Sequence, residues 1–162
     1  MPKEDTLTAV LHAPVTGRSL IDPALFERLV SRIVGEHDVE RGLAERIMDQ
    51  ALAFLAACAR NTGSPLAPSE LVDIGWHTFV LHTRVYAAFC ERIAGRFLHH
   101  VPTEDHDPAA SGDAVRDTMA RTVAAIEAAG FTLDPELWPK GAQAGCTGCH
   151  NGCHDDPPPA RD

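Results

Sequence analysis

Apolar residues in this chain return every three or four positions, in segments that glycine and proline punctuate, and that pattern confines the chain to helices. Asp22-Pro23 opens the first segment: an aspartate caps well, and a proline fits the first turn. Leu25, Phe26, Leu29, Val30 and Ile33 follow at helical spacing, and Gly35 reads as the stop. Asp38 reads as the cap of a second, longer helix reaching about Arg60, with Leu43, Ile47, Leu52, Phe54, Leu55 and Cys58 on its apolar face. Asn61-Thr62-Gly63-Ser64-Pro65 is a break. Ser69 starts a third helix, and Thr83 caps a fourth that runs to about Ala94 and stops at Gly95. Residues 101–112, with Pro102, Pro108 and three acids, read as a loop. Ser111 or Asp113 opens a fifth helix, closed by Gly130, and Asp134-Pro135 adds one more turn. Residues 1–21 carry mixed signals, and no alternating pattern indicates a strand. The expected fold is all-α: one bundle of about five helices over residues 1–138, then a Cys/His/Pro-rich irregular tail over 139–162.

The tail has almost nothing apolar and cannot build a core. It carries Cys146-Thr147-Gly148-Cys149-His150-Asn151-Gly152-Cys153-His154, three thiols and two imidazoles in nine residues. These are the borderline-soft ligands of Zn²⁺ and Cu(I). Cys146-x-x-Cys149 lets two thiolates face one ion, and Gly148 and Gly152 relieve the backbone where it wraps closely. A tetrahedral Cys₃His site would use Cys146, Cys149, Cys153 and either His150 or His154. The stretch is short for four ligands, so the helical body or a second subunit can supply the remainder. Cys146-Thr147-Gly148-Cys149-His150 also spells the c-type haem pattern. That chemistry needs export, and Lys3 is followed at once by Glu4 and Asp5 rather than by an apolar run, so a signal peptide is not expected.

Composition narrows the setting. A formal net charge of −9, a pI near 5.4 and no Lys/Arg cluster argue against nucleic acid as a partner. No apolar run approaches the roughly 18 residues of a membrane span. A cytoplasmic protein is expected, where thiols stay reduced and five cysteines, an odd number, are better suited to metal than to disulfides.

The body holds a second donor group: His77, His82, Cys90, His99 and His100 fall within 24 residues. Asp73 and His77 are four apart and would share a helix face, the carboxylate taking one imidazole N–H and leaving the other nitrogen for an ion. The same pairing serves an ordinary buried histidine. Trp76, Phe79, Leu81, Tyr86 and Phe89 read most simply as core, and a buried Tyr86 needs a hydrogen-bond partner. Cys58 and Cys90 read as core thiols. His12, His37 and His106, beside loops and acids, read as solvated.

Asp73-x-x-Trp76-His77, Leu81, Tyr86 and Cys90, followed by Gly95-Arg96-Phe97, His99-His100 and Pro102, resemble the central motif of the glycine-rich domain protein family in its small bacterial form. The likeness is dense over about 30 residues. It implies a helical domain and no particular chemistry. Plant members often place a second histidine two residues after the first; Phe79 stands there in this chain, so a His-x-His pair does not carry over.

Three functions follow as expectations. The first is a cytoplasmic metal-binding protein, zinc first and copper or iron as alternatives, using Cys146, Cys149, Cys153, His150 and His154, with His77, His99 and His100 as body ligands supported by Asp73 and Tyr86. The second is a metal-dependent enzyme with its ion on His77, His99 and His100, Asp73 orienting them and Glu70 or Tyr86 handling protons. The third is a metal-free module that uses His99, His100 and Arg96 to bind a protein partner.

Overall fold

The computed structural model describes residues 15–101 and 112–138. Five α-helices make up this body: α1 (Pro23–His37), α2 (Arg41–Arg60), α3 (Glu70–Val80), α4 (Thr83–Ala94) and α5 (Asp113–Ala128). A short 3-10 helix, Gly17–Leu20, precedes them. The fold is all-α, and the only β pairing among the described residues is an isolated parallel bridge between Val15 and Phe131.

Several sequence signals act as read. Asp22 caps α1, its carboxylate accepting from Ala24 N at 2.8 Å and Leu25 N at 3.4 Å, with Pro23 in the first turn. Ser69 caps α3 through Val72 N at 3.3 Å. Gly95 ends α4 at φ 65°, and Gly130 follows α5 at φ 85°. Both lie in the left-handed region that suits a residue without Cβ.

Three boundaries differ. α1 runs through Gly35 to His37, and Asp38 is its left-handed C-terminal residue (φ 50°) rather than the cap of the next helix. Asparagine and aspartate tolerate that conformation because a short polar side chain bonds locally. α2 accordingly starts at Arg41, with Glu40 at its N-cap. At α4 the capping position is His82, whose carbonyl accepts from Tyr86 N at 2.9 Å, and Thr83 is the first helical residue.

α2 is the axis of the fold and touches every other helix. Its residues 50–58 are all buried, so no face of that stretch meets solvent. Phe54 packs on Trp76 of α3 at 5.2 Å and on Trp138 at 6.4 Å between ring centroids. α1 supplies the buried Leu25, Phe26, Leu29, Val30 and Ile33, and α5 supplies Val115, Met119 and Ile126. The connection before α3 is fastened to α5: Ala67 N donates to Thr122 Oγ1 at 3.1 Å, and that hydroxyl donates to Thr118 O at 2.9 Å.

Residues 131–138 are clasped against α2. Gln50, 2% exposed, accepts from Trp138 Nε1 (2.8 Å) and Asp134 N (3.1 Å), and donates to Thr132 O (2.9 Å). Nearby, Arg46 pairs with Asp134 at 2.6 and 2.9 Å and also with Glu136. The hydrogen bonds from Arg46 hold the Asp134 carboxyl below its ordinary range, against a smaller opposing effect of burial. A depressed native pKa gives stability that is present above the unfolded value and is lost as pH falls through the native one. Asp134→Asn should therefore cost about 1 kcal/mol at neutral pH, a modest figure because Arg46 is part-exposed. The gap to the parent protein should close below about pH 4. Denaturant unfolding across pH 2–7 checks this; a gap that does not shrink in acid removes the ion pair as its cause.

No helix among the described residues is long and apolar enough to cross a membrane.

Candidate functional site

The histidine group sits where the α3–α4 hairpin folds back on itself. α3 ends after Val80, and Leu81-His82 makes the turn, with His82 N donating to Phe79 O at 2.9 Å. The His82 ring turns back to Thr78 O at 3.1 Å, which places its proton on Nδ1. α4 follows and stops at Gly95, and the chain then returns to α3, where His100 meets Asp73.

That return sets the first correction at the site. Asp73 pairs with His100, not with His77: Asp73 Oδ1 accepts from His100 Nε2 at 2.8 Å. The partner four residues along the helix loses to one 27 residues away because both Asp73 and His100 are sheltered, with side chains 18% and 12% exposed, while His77 faces solvent. An ionised carboxylate can only accept, so Nε2 is a protonated nitrogen of that ring. The His77 ring stands edge-on to His100, with centroids 5.5 Å apart. The Trp76 ring backs His100 at 4.6 Å.

Tyr86 has a different task from supporting an imidazole directly. Fully buried on α4, its hydroxyl accepts from Trp76 Nε1 at 2.8 Å and donates to Leu98 O at 2.6 Å. Phe79 and Phe97 meet its ring edge-on, each at 5.2 Å. His99 lies on Phe97 at 4.7 Å, so adjacent histidines take different neighbours. Arg96 reaches back to Cys58 O at 3.4 Å.

Cys58 and Cys90 are both fully buried. Cys90 is a free thiol, whereas Cys58 is disulfide-bonded, which corrects its reading as a core thiol. Burial pushes the Cys90 thiol above its ordinary range, against weaker effects of the Leu98 backbone and the Tyr86 hydroxyl. A thiol held protonated is a poor nucleophile and a poor ligand.

Among the described residues, no three His, Cys, Asp or Glu side chains are grouped so as to hold a metal ion. The body offers the pair His77 and His100, with Asp73 behind the latter. Cys146, Cys149, Cys153, His150 and His154, like Pro102, His12 and His106, lie outside the described residues.

Residues 18–123, more than half of the chain, match the UCP032817-like family. The chain belongs to that family. This corrects the resemblance to the glycine-rich domain proteins. Trp76 and Tyr86 are buried and hydrogen-bonded to each other, and Phe97 packs on the Tyr86 ring, so those letters serve packing and discriminate poorly between families. The matched span carries Asp73, His77, Tyr86, His99 and His100 and stops short of the Cys146–His154 stretch. No curated protein and no solved structure matches the chain.

Proposed function

We propose that this protein binds a transition-metal ion, Zn²⁺ foremost, through the His77–His100 pair on the helical body together with donors from Cys146–His154. The spacing of the two imidazoles carries the reading. An ion about 2.0–2.1 Å from one nitrogen of each of two imidazoles, at a tetrahedral angle, sets the ring centroids roughly 5 Å apart. His77 and His100 stand at 5.5 Å. Asp73 on His100 Nε2 supplies the carboxylate–imidazole arrangement that fixes the orientation of a ligating histidine. Two imidazoles leave a tetrahedral ion two ligands short, and the thiols of 146–153 are the softest donors the chain has to complete it. Zinc accepts such a mixed N/S set without redox chemistry; copper and iron are the alternatives that imidazole also suits.

Untagged protein should contain close to one equivalent of metal per chain, measured by elemental analysis after gel filtration. His77→Ala should lower that content severalfold, and Cys146→Ser with Cys149→Ser should lower it as well. Retention after the His77 change moves the ion off the body. Retention after the double cysteine change removes the tail from the site. Parent protein that carries no metal, and takes up neither Zn²⁺ nor Cu(I) on titration, overturns the reading.

A further inference from the structure

We infer that Tyr86 is the positioning residue of the His77–His100 pair, an inference that rests on the metal reading. One oxygen atom ties together the two pieces of chain that carry the imidazoles. Trp76, which donates to it, is the residue before His77 on α3. Leu98, whose carbonyl accepts from it, is two residues before His100. The chain has left the helix at Gly95, so the 95–101 segment needs an anchor outside itself to hold a register against α3. Leu98 is 1% exposed and Tyr86 is fully buried, so the anchor works in a dry environment, where a hydrogen bond is worth most and an unmade one is costly.

The hydroxyl cannot be replaced by packing. Phe79 and Phe97 already fix the ring from its edges, so phenylalanine at 86 would keep the aromatic packing. It would leave Trp76 N–H and Leu98 C=O, both buried, without this partner. The 96–101 segment is then free to shift relative to α3, and His100 shifts with it. Two imidazoles on one ion tolerate little such movement, because each bond length and the angle between them are set by the metal. The Asp73–His100 bond constrains the ring at its tip and Tyr86 constrains the backbone beneath it; the two act on different degrees of freedom.

The test compares the full chain with Tyr86→Phe and with Ile126→Ala. Ile126 is buried on α5, away from the histidines, and its truncation costs stability alone. Zn²⁺ affinity is read by competition with a chromophoric chelator, well below every melting temperature. Tyr86→Phe should bind about tenfold more weakly than the parent protein, the scale seen when a group supporting a ligand is removed. Ile126→Ala should bind as the parent does. Equal affinity in Tyr86→Phe and the parent overturns the positioning role, as does an equal loss in Ile126→Ala, which would make the effect one of stability. A parent protein that binds no Zn²⁺ fails the metal reading itself, a distinct result.

Should Tyr86→Phe not fold, the parent protein answers by linkage, because coupling between two sites is reciprocal. Zn²⁺ should slow hydrogen exchange of the Trp76 indole N–H, which Tyr86 holds, and leave that of Trp138, held by Gln50, unchanged. Saturation with Zn²⁺ without slowing at Trp76 overturns the inference.

Discussion

Replacing Gln50 by alanine should cost about 3–4 kcal/mol and lower the melting temperature by roughly 10 °C, the sum of several bonds lost at one buried amide. The amide uses both ends. Its oxygen accepts from Trp138 Nε1 and from Asp134 N, and its nitrogen donates to Thr132 O. Trp138 is 1% exposed and Gln50 2%, so water does not take over when the side chain is cut. Each orphaned donor or acceptor then adds a desolvation penalty on top of the lost bond. The damage should be local first. Residues 131–138 should come away from α2, and Trp138 fluorescence should shift to the red at denaturant concentrations where helical circular dichroism is still native. Gln50→Leu separates the terms, because it refills the volume without restoring any bond. A Gln50→Ala protein within about 0.5 kcal/mol of the parent would show that the clasp contributes little.

The parts of this fold that were legible in the sequence are those decided within a few residues. Asp22 before Pro23, Ser69 before α3 and Gly95 after α4 act through bonds or dihedrals that span at most one turn. Gly35 misleads because a glycine ends a helix only where the left-handed position falls, and the turn geometry puts that at Asp38. The 3-10 helix Gly17–Leu20 is too short for any period to show. Gln50 carried a readable signal: one amide inside the nearly unbroken apolar run from Ile47 to Cys58 must be buried, and a buried amide must have partners. Those partners, 82 to 88 residues away, could not be named from spacing.

The site was legible as a set of residue types and not as a set of pairs. His77 and His100 do approach each other, and Asp73 does support an imidazole. The i,i+4 rule assigned that carboxylate to His77, since the rule sees one helix at a time. Only after α4 turns back does His100 become the nearer and better sheltered partner. A buried Tyr86 needs a hydrogen-bond partner, and among the described residues its hydroxyl bonds both Trp76 and Leu98. That it would bridge α3 to the returning segment depends on the hairpin's tertiary closure, which no local pattern encodes.

Gly75→Ala should destabilise the protein by about 2 kcal/mol, despite the gain of roughly 1 kcal/mol that alanine brings to a helix interior. Gly75 lies where α3 presses on α2. A Cβ there would stand 2.7 Å from Ala51 Cβ, 3.0 Å from Ile47 O and 3.3 Å from Ile47 Cγ2. Carbon atoms pack at about 3.5–4.0 Å, so the helices must separate by something near 1 Å. Neither obstacle can swing aside: one is a Cβ with no rotamer to change, the other a backbone carbonyl. Gly75→Val, larger and β-branched, should cost more still. Ala51→Gly combined with Gly75→Ala removes the closest contact, so the double variant should recover part of the loss, read as a coupling energy in denaturant unfolding. A Gly75→Ala protein as stable as the parent would mean that α3 and α2 are not held in this close crossing.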